Sequence, residues 1–177
     1  KGNWISILIT LFVTYFLIKW MLPDIMKMKF FGEGYKSISN LNVFFSACIG
    51  LAVGALISIV TSYYTSLGKK PVMDIVKNSS TGAATNIIAG LAVGMKSTFL
   101  SVILFSAAIF SAYELAGFYG VAISASAMMA TTAMQLAIDA FGPIADNAGG
   151  VAEMSELEPE VRERTDILDS VGNTTAA

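Results

Sequence analysis

The chain has 177 residues, of which 55% are apolar and only 14% are charged, and its mean hydropathy is +0.67. This composition excludes an ordinary soluble domain, and a net charge of −2 without a basic tract gives no indication of nucleic-acid binding. The absence of histidine and the single cysteine exclude histidine-based metal sites and a disulfide framework. The apolar residues fall in blocks long enough to span a bilayer, which predicts an all-α, polytopic transmembrane helix bundle.

These apolar blocks predict six helices joined by polar connections. In chain order the helices cover residues 4–22, 43–64, 72–95, 98–113, 118–153 and 161–177. A very short turn at Lys96-Ser97 is expected between the third and the fourth, and residues 114–117 end the fourth. Gly50 and Gly54 favour close contact between the second helix and a neighbour. The polar first half of the third segment either faces a protein interior or water, or lies outside the bilayer.

The fifth predicted helix carries acidic residues at a spacing of seven. Asp139, Asp146 and Glu153 would lie on one face, about 10 Å apart along the axis. A carboxylate at membrane depth is costly, so this face is a candidate functional site. At more than 30 residues the helix should also project beyond the bilayer (about 20 residues suffice to cross it).

The end of this helix is predicted to meet the start of the sixth at one membrane surface. Asp146 on one helix and Asp166, Asp169 and Asn173 on the other offer hard oxygen ligands, which suit Mg²⁺. The distribution of basic residues predicts that the connection 153–163 is cytoplasmic.

From the residues alone, three classes of function remain open. The first is an ion or proton pathway with a metal or polyanion site at one end. The second is a secondary transporter or channel that uses Asp139, Asp146 and Glu153 without hydrolysis. The third is a structural membrane scaffold.

Two long motifs narrow this choice. The segment IDAFGPIADNAGGVAEM, followed by RERTDILDSVGNTTAA, resembles the paired helices of the membrane-integral pyrophosphatases, ion-pumping enzymes that hydrolyse inorganic pyrophosphate. SYYTS, TGAATNIIAGLAVGMKS and YGVAISA match the same family in order and spacing. The resemblance implies about sixteen helices in two concentric rings and a homodimer. The first four helices here would belong to the outer ring and the last two to the inner ring. The chain is then expected to be an internal fragment, as its start without Met also suggests.

The resemblance also assigns roles to individual residues. Asp146 and Asn173 would contribute to a site for Mg²⁺ and pyrophosphate on the cytoplasmic side. Ala176 stands where potassium-dependent members carry Ala and independent ones Lys, which implies K⁺ as a second cofactor. The depth of Asp139, two turns below Asp146, leaves two roles open: a residue of the ion pathway or a structural partner of a cationic side chain. The pumped ion is H⁺, Na⁺ or both. Ser62 stands where members usually carry Glu.

The catalytic residues are expected to lie outside the fragment, so that the fragment alone would be inactive. The resemblance further implies an integral protein of the lipid membrane, the inner membrane if the source is bacterial.

Overall fold

A computed structural model describes residues 2–32 and 34–176, with side chains placed as far as Thr174. The predicted helical architecture is confirmed. In chain order the helices are α1 (Gly2–Met21), α2 (Asn40–Thr65), α3 (Lys70–Ser79), α4 (Ala83–Met128), α5 (Thr132–Met154) and α6 (Pro159–Ala176). A single 3₁₀ turn, Met129–Thr131, joins α4 to α5. Within the described residues, three helical stretches are long and apolar enough to cross a membrane: Gly2–Met21, Asn40–Ser79 and Ala83–Met154.

The longest of these stretches is interrupted inside α4. Ala116 and Gly117 have non-helical backbone angles, and Gly117 has φ +60° and ψ −151°. This combination is essentially restricted to glycine, since a Cβ would clash with the backbone. The interruption falls within the segment 114–117, where the sequence predicts the end of one helix. It leaves two helices, 83–115 and 118–154, and each is long enough to cross a bilayer.

The expected turn at Lys96-Ser97 was wrong. Residues 83–115 form one helix of roughly 50 Å, and the hydroxyl of Ser97 donates to the carbonyl of Gly94 within it (2.7 Å). Neither Lys nor Ser prevents helical backbone angles, so a polar pair interrupts hydropathy without interrupting the helix. The predicted spans 72–95 and 98–113 are therefore replaced by the short helix α3 and one long helix. With ten residues α3 is too short to cross a bilayer.

The segment between α1 and α2 contains a β-hairpin that the sequence analysis did not predict. Strands β1 (Ile25–Phe30) and β2 (Gly34–Ser39) pair antiparallel, with Ile25 opposite Ser39. The signal was present, because Met26, Met28 and Phe30 alternate with lysines at the period of a strand.

This hairpin packs against the interruption in α4. Contacts within the chain divide it into two compact units, and the first comprises residues up to Ser58 together with Leu100–Thr132. Its core is formed by five buried side chains: Ile18, Phe30, Ile38, Val43 and Ala116. The Phe30 ring lies over Gly117, and the amide of Phe31 donates to the Tyr113 hydroxyl (2.6 Å). In the same unit, a Cβ on Gly50 would lie 1.9 Å from the Ser124 carbonyl oxygen, so α2 makes the close contact that its glycines predict.

Candidate functional site

The second unit, Ile59–Phe99 with the residues from Ala133 onward, contains the predicted site residues. α5 is continuous from Thr132 to Met154, so Asp139, Asp146 and Glu153 lie on one face, as the spacing of seven predicts. Asp139 is half-buried, whereas Asp146 and Glu153 are exposed.

A proline lies within this helix, between the first two acids. Pro143 has no N–H, so the carbonyl of Asp139 lacks its usual helical donor four residues on. The side-chain amide of Asn147 donates to the carbonyl of Pro143 (2.7 Å). The carbonyl oxygen of Asp139, which receives no N–H from Pro143, is thus an additional acceptor beside the Asp139 carboxylate.

Small residues line the face of α5 that packs on α6. Gly142, Ala145, Gly149 and Ala152 are buried at spacings of three and four, which place them on a single stripe. A Cβ on Gly172 would lie 2.3 Å from the Gly142 Cα, so the two backbones touch at this point. Two turns further along α5, a Cβ on Gly149 would lie 3.3 Å from the Thr165 hydroxyl oxygen.

These two contacts set an antiparallel register. Midway between them on α5 lies Asp146, and midway on α6 lies Asp169. Asn173 directly follows Gly172 at the closest contact. The structure therefore brings Asp146 and Asn173 onto the two facing helices of one hairpin.

The connection between α5 and α6 is short and well ordered by hydrogen bonds. Glu156 has φ +53°, its amide bonds the Glu153 carbonyl (3.1 Å), and the Leu157 amide bonds the Ala152 carbonyl (3.1 Å). This pair of bonds is the Schellman arrangement that commonly ends a helix. It occurs here with Glu at the left-handed position, which glycine usually occupies.

The side chain of Asn173 is oriented by a residue of its own helix. Its amide nitrogen donates to Oδ2 of Asp169 (2.8 Å), and the amide oxygen remains as the acceptor. Asp169, itself one of the oxygen donors that the sequence offers on α6, is thus in direct contact with Asn173.

The end of α2 around Ser62 also reaches α6. The Thr65 hydroxyl lies 3.2 Å from the carbonyl of Thr174 and 2.9 Å from that of Thr61. The Ser62 and Ser66 hydroxyls are hydrogen-bonded to each other (3.0 Å). The side chain of Ala176, the predicted potassium determinant, lies outside the described residues.

A basic residue that falls in the predicted connection 153–163 joins the two helices. Arg162 on α6 donates from Nη1 to the carbonyl of Gly149 (2.9 Å) and from Nε to Asp166 (2.8 Å). Its Nη1 also lies 3.7 Å from a carboxylate oxygen of Glu153. The sequence signal was Arg162 and Asp166 four residues apart, but the contact with α5 depends on how the helices pack.

The described part of the chain contains no group of three His, Cys, Asp or Glu side chains that could hold a metal ion. Asp146 and Asn173 alone therefore do not form a complete metal shell. Their oxygen donors fit Mg²⁺, which accepts few protein ligands and keeps several waters.

Comparison with known proteins gives a consistent result. A family model described as inorganic H⁺ pyrophosphatase matches residues 1–177. A K⁺-insensitive pyrophosphate-energized proton pump of Caldanaerobacter subterraneus is 43% identical over the whole chain and 26% of its own length. A K⁺-stimulated pyrophosphate-energized sodium pump of Thermotoga maritima is 45% identical over 98% of the chain and 24% of its own length. A putative K⁺-stimulated sodium pump of Clostridium tetani is 50% identical over 78% of the chain and 22% of its length. The chain thus spans about a quarter of the length of these relatives.

Proposed function

The chain belongs to the inorganic H⁺ pyrophosphatase family, and on this premise we propose that it forms part of a membrane pump. In the complete protein, hydrolysis of Mg-pyrophosphate on the cytoplasmic side drives transport of H⁺, Na⁺ or both. The observation that carries the proposal is the α5–α6 hairpin. Its backbone contact at Gly142 and Gly172 holds the D-N-A-G-G and G-N-T-T motifs on facing helices. A transporter or channel without hydrolysis has no comparable support.

Asp146 and Asn173 are the residues of this chain that would hold the magnesium complex of pyrophosphate. Asp146 supplies a carboxylate, and Asn173 supplies the amide oxygen that its bond to Asp169 leaves as an acceptor. When bound, Mg²⁺ neutralises phosphate charge and polarises the phosphoryl oxygens. The other ligands, and the residues that position the attacking water, would come from parts of the protein beyond this chain. The chain by itself is accordingly expected to be inactive.

Potassium would act as a second cofactor. Ala176 provides a methyl group where a lysine would place a fixed positive charge, so a bound K⁺ can supply that charge instead. The named relatives support both modes, since two are K⁺-stimulated pumps and one is a K⁺-insensitive pump.

Asp139 is the candidate residue for the ion pathway. It is half-buried on the same face as Asp146, two turns away. Its own backbone carbonyl lacks the helical N–H donor, because residue 143 is a proline. The carboxylate can carry a proton, and the carboxylate and the backbone oxygen together can contact Na⁺. The relatives named as proton and sodium pumps are consistent with either ion.

The corrected helix boundaries change the charge argument for orientation. With 83–115 as a single crossing, the connection 153–163 falls on the same side as residues 66–82. That side then carries the basic residues Lys69, Lys70, Lys77, Arg162 and Arg164. The opposite side carries Lys19, Lys27, Lys29 and Lys36. The excess of basic residues on that side supports a cytoplasmic location of the connection 153–163 in the cell membrane.

We further propose, from the family resemblance, that the complete protein is a homodimer.

The experiment is a pyrophosphate hydrolysis assay on membranes that contain the complete protein. Phosphate release should require Mg²⁺ and stop when the metal is removed by a chelator, because the substrate is the magnesium complex. Addition of Mg²⁺ should restore the rate. Membranes with the protein correctly inserted but without Mg²⁺-dependent phosphate release would refute the proposal.

A further inference from the structure

We propose that Arg162 is a positioning residue that holds α6 in register on α5, so that Asp146 and Asn173 meet the same magnesium-pyrophosphate complex. The inference rests on the proposed function, since it concerns the two residues that would bind the complex. Arg162 itself would not touch the substrate.

Arg162 makes three polar contacts, two of them across to α5 and one within α6. Nη1 donates to the Gly149 carbonyl on α5 at 2.9 Å and lies 3.7 Å from the Glu153 carboxylate, also on α5. Nε donates at 2.8 Å to Asp166, one turn further along α6. Asp166 thus holds the guanidinium from its own helix while the outer nitrogen reaches across to α5. The planar fork of arginine fixes both directions at once.

The packing between the helices explains why such a link is needed. The α5 stripe is made of Gly142, Ala145, Gly149 and Ala152, and it faces Gly172 on α6. Small residues allow close approach, but they interlock less than large side chains and resist sliding less. A charge-assisted hydrogen bond to a backbone carbonyl is directional, so it supplies the register that the glycine surface does not.

The position of this bond relates it to both proposed ligands. Gly149 lies one turn beyond Asp146 on α5. Asn173 lies on α6, the helix whose N-terminal end Arg162 joins to α5. A shift of α6 along α5 would separate the two ligands. Bound magnesium-pyrophosphate would restore the register, and the free energy for this would appear as weaker apparent binding.

Arg164 provides a matched control. It carries the same charge two residues away, and its guanidinium is paired with Glu160 on the same helix. Arg164 is also more exposed, with 73% of its side chain accessible against 41% for Arg162. Its replacement removes the same charge from the same end of α6 and leaves the contact with α5 intact.

The test compares Arg162→Gln, Arg162→Lys and Arg164→Gln in the complete enzyme in membranes. For each variant, kcat, KM for magnesium-pyrophosphate and the half-saturating Mg²⁺ concentration are measured. Arg162→Gln should raise the half-saturating Mg²⁺ concentration and KM by about tenfold or more, as loss of supporting hydrogen bonds to a metal site does. Its kcat at saturation should stay close to that of the wild type, because the ligands themselves remain. Arg162→Lys, which keeps the charge but reaches one acceptor, should be intermediate.

Arg164→Gln should match the wild type in all three quantities. The proposal is overturned if Arg164→Gln and Arg162→Gln have the same Mg²⁺ dependence. It is also overturned if Arg162→Gln lowers kcat with unchanged half-saturation. If Arg162→Gln does not accumulate in membranes, Arg162→Lys decides, and a wild-type Mg²⁺ dependence in that variant rejects the proposal. A wild-type enzyme without Mg²⁺-dependent hydrolysis would instead refute the proposed function itself, and the positioning role with it.

Discussion

Asp146 is an exposed carboxylate beside a stripe of small residues, an arrangement that leaves it accessible to a ligand between helices. The spacing of seven was sufficient to predict which face carries Asp139, Asp146 and Glu153, since an uninterrupted helix fixes that face. The partners of Arg162 and Asn173 were not predictable in the same way. The hydrogen bonds of both residues depend on side-chain direction, and the bond from Arg162 to Gly149 also depends on the register between two helices.

At the residue scale, Asp146→Ala should reduce Mg²⁺-dependent pyrophosphate hydrolysis by the complete enzyme about a hundredfold or more, because it removes a preorganised charge from the reacting complex. The measurement is phosphate release from membranes at matched protein amount. Glu163→Ala, which removes an exposed acid from α6, serves as the control and should retain activity. Wild-type turnover with unchanged Mg²⁺ dependence in Asp146→Ala would rule out a ligand role.

The second prediction at this scale concerns potassium. Hydrolysis by the unmodified enzyme should rise with added K⁺, because Ala176 is the residue that, by the family resemblance, potassium-dependent members carry at this position. Ala176→Lys should retain the hydrolytic rate and lose the response, because its ammonium replaces the ion. The measurement is a K⁺ titration at constant ionic strength. A flat response in the unmodified enzyme would contradict the assignment, whatever the variant does.

At the scale of elements, the sequence located the boundary within 114–117 correctly. There Gly117 adopts a positive φ, which interrupts the helix. Lys96-Ser97 was a boundary in hydropathy only, and the helix continues through it. Hydropathy does not predict the hairpin β1–β2, because its strands lie in a connection between apolar blocks and show only a short alternation of apolar residues and lysines.

The contact between α5 and α6 gives the prediction at this scale. Gly172→Ala places a Cβ within 2.3 Å of the Gly142 Cα, and neither backbone can yield without separating the helices. Such overpacking should cost about 1–3 kcal/mol, which lowers the temperature at which the complete enzyme loses activity. Gly90→Ala is the control, because no described atom lies within 4 Å of its Cβ position. It should leave that temperature unchanged or raise it, as alanine favours the helix by about 1 kcal/mol. Equal inactivation temperatures would show that the close contact does not limit stability.

At the scale of the whole molecule, the chain spans about a quarter of the length of the relatives it matches. Many large apolar side chains are exposed on its helices, among them Phe12, Phe99, Ile103 and Phe110. Such surfaces suit contact with lipid, or with further helices such as the longer relatives have room for.

Under the proposed function, hydrolysis that involves the α5–α6 hairpin drives ion movement across the membrane. Sealed inside-out vesicles that contain the complete protein test this coupling, with pyrophosphate and Mg²⁺ added outside. The lumen is assayed for acidification and for Na⁺ uptake. H⁺, Na⁺ or both should accumulate inside only while pyrophosphate is hydrolysed, and Asp146→Ala should reduce hydrolysis and accumulation together. Hydrolysis in tight vesicles without accumulation of either ion, or accumulation that persists without pyrophosphate, would contradict it.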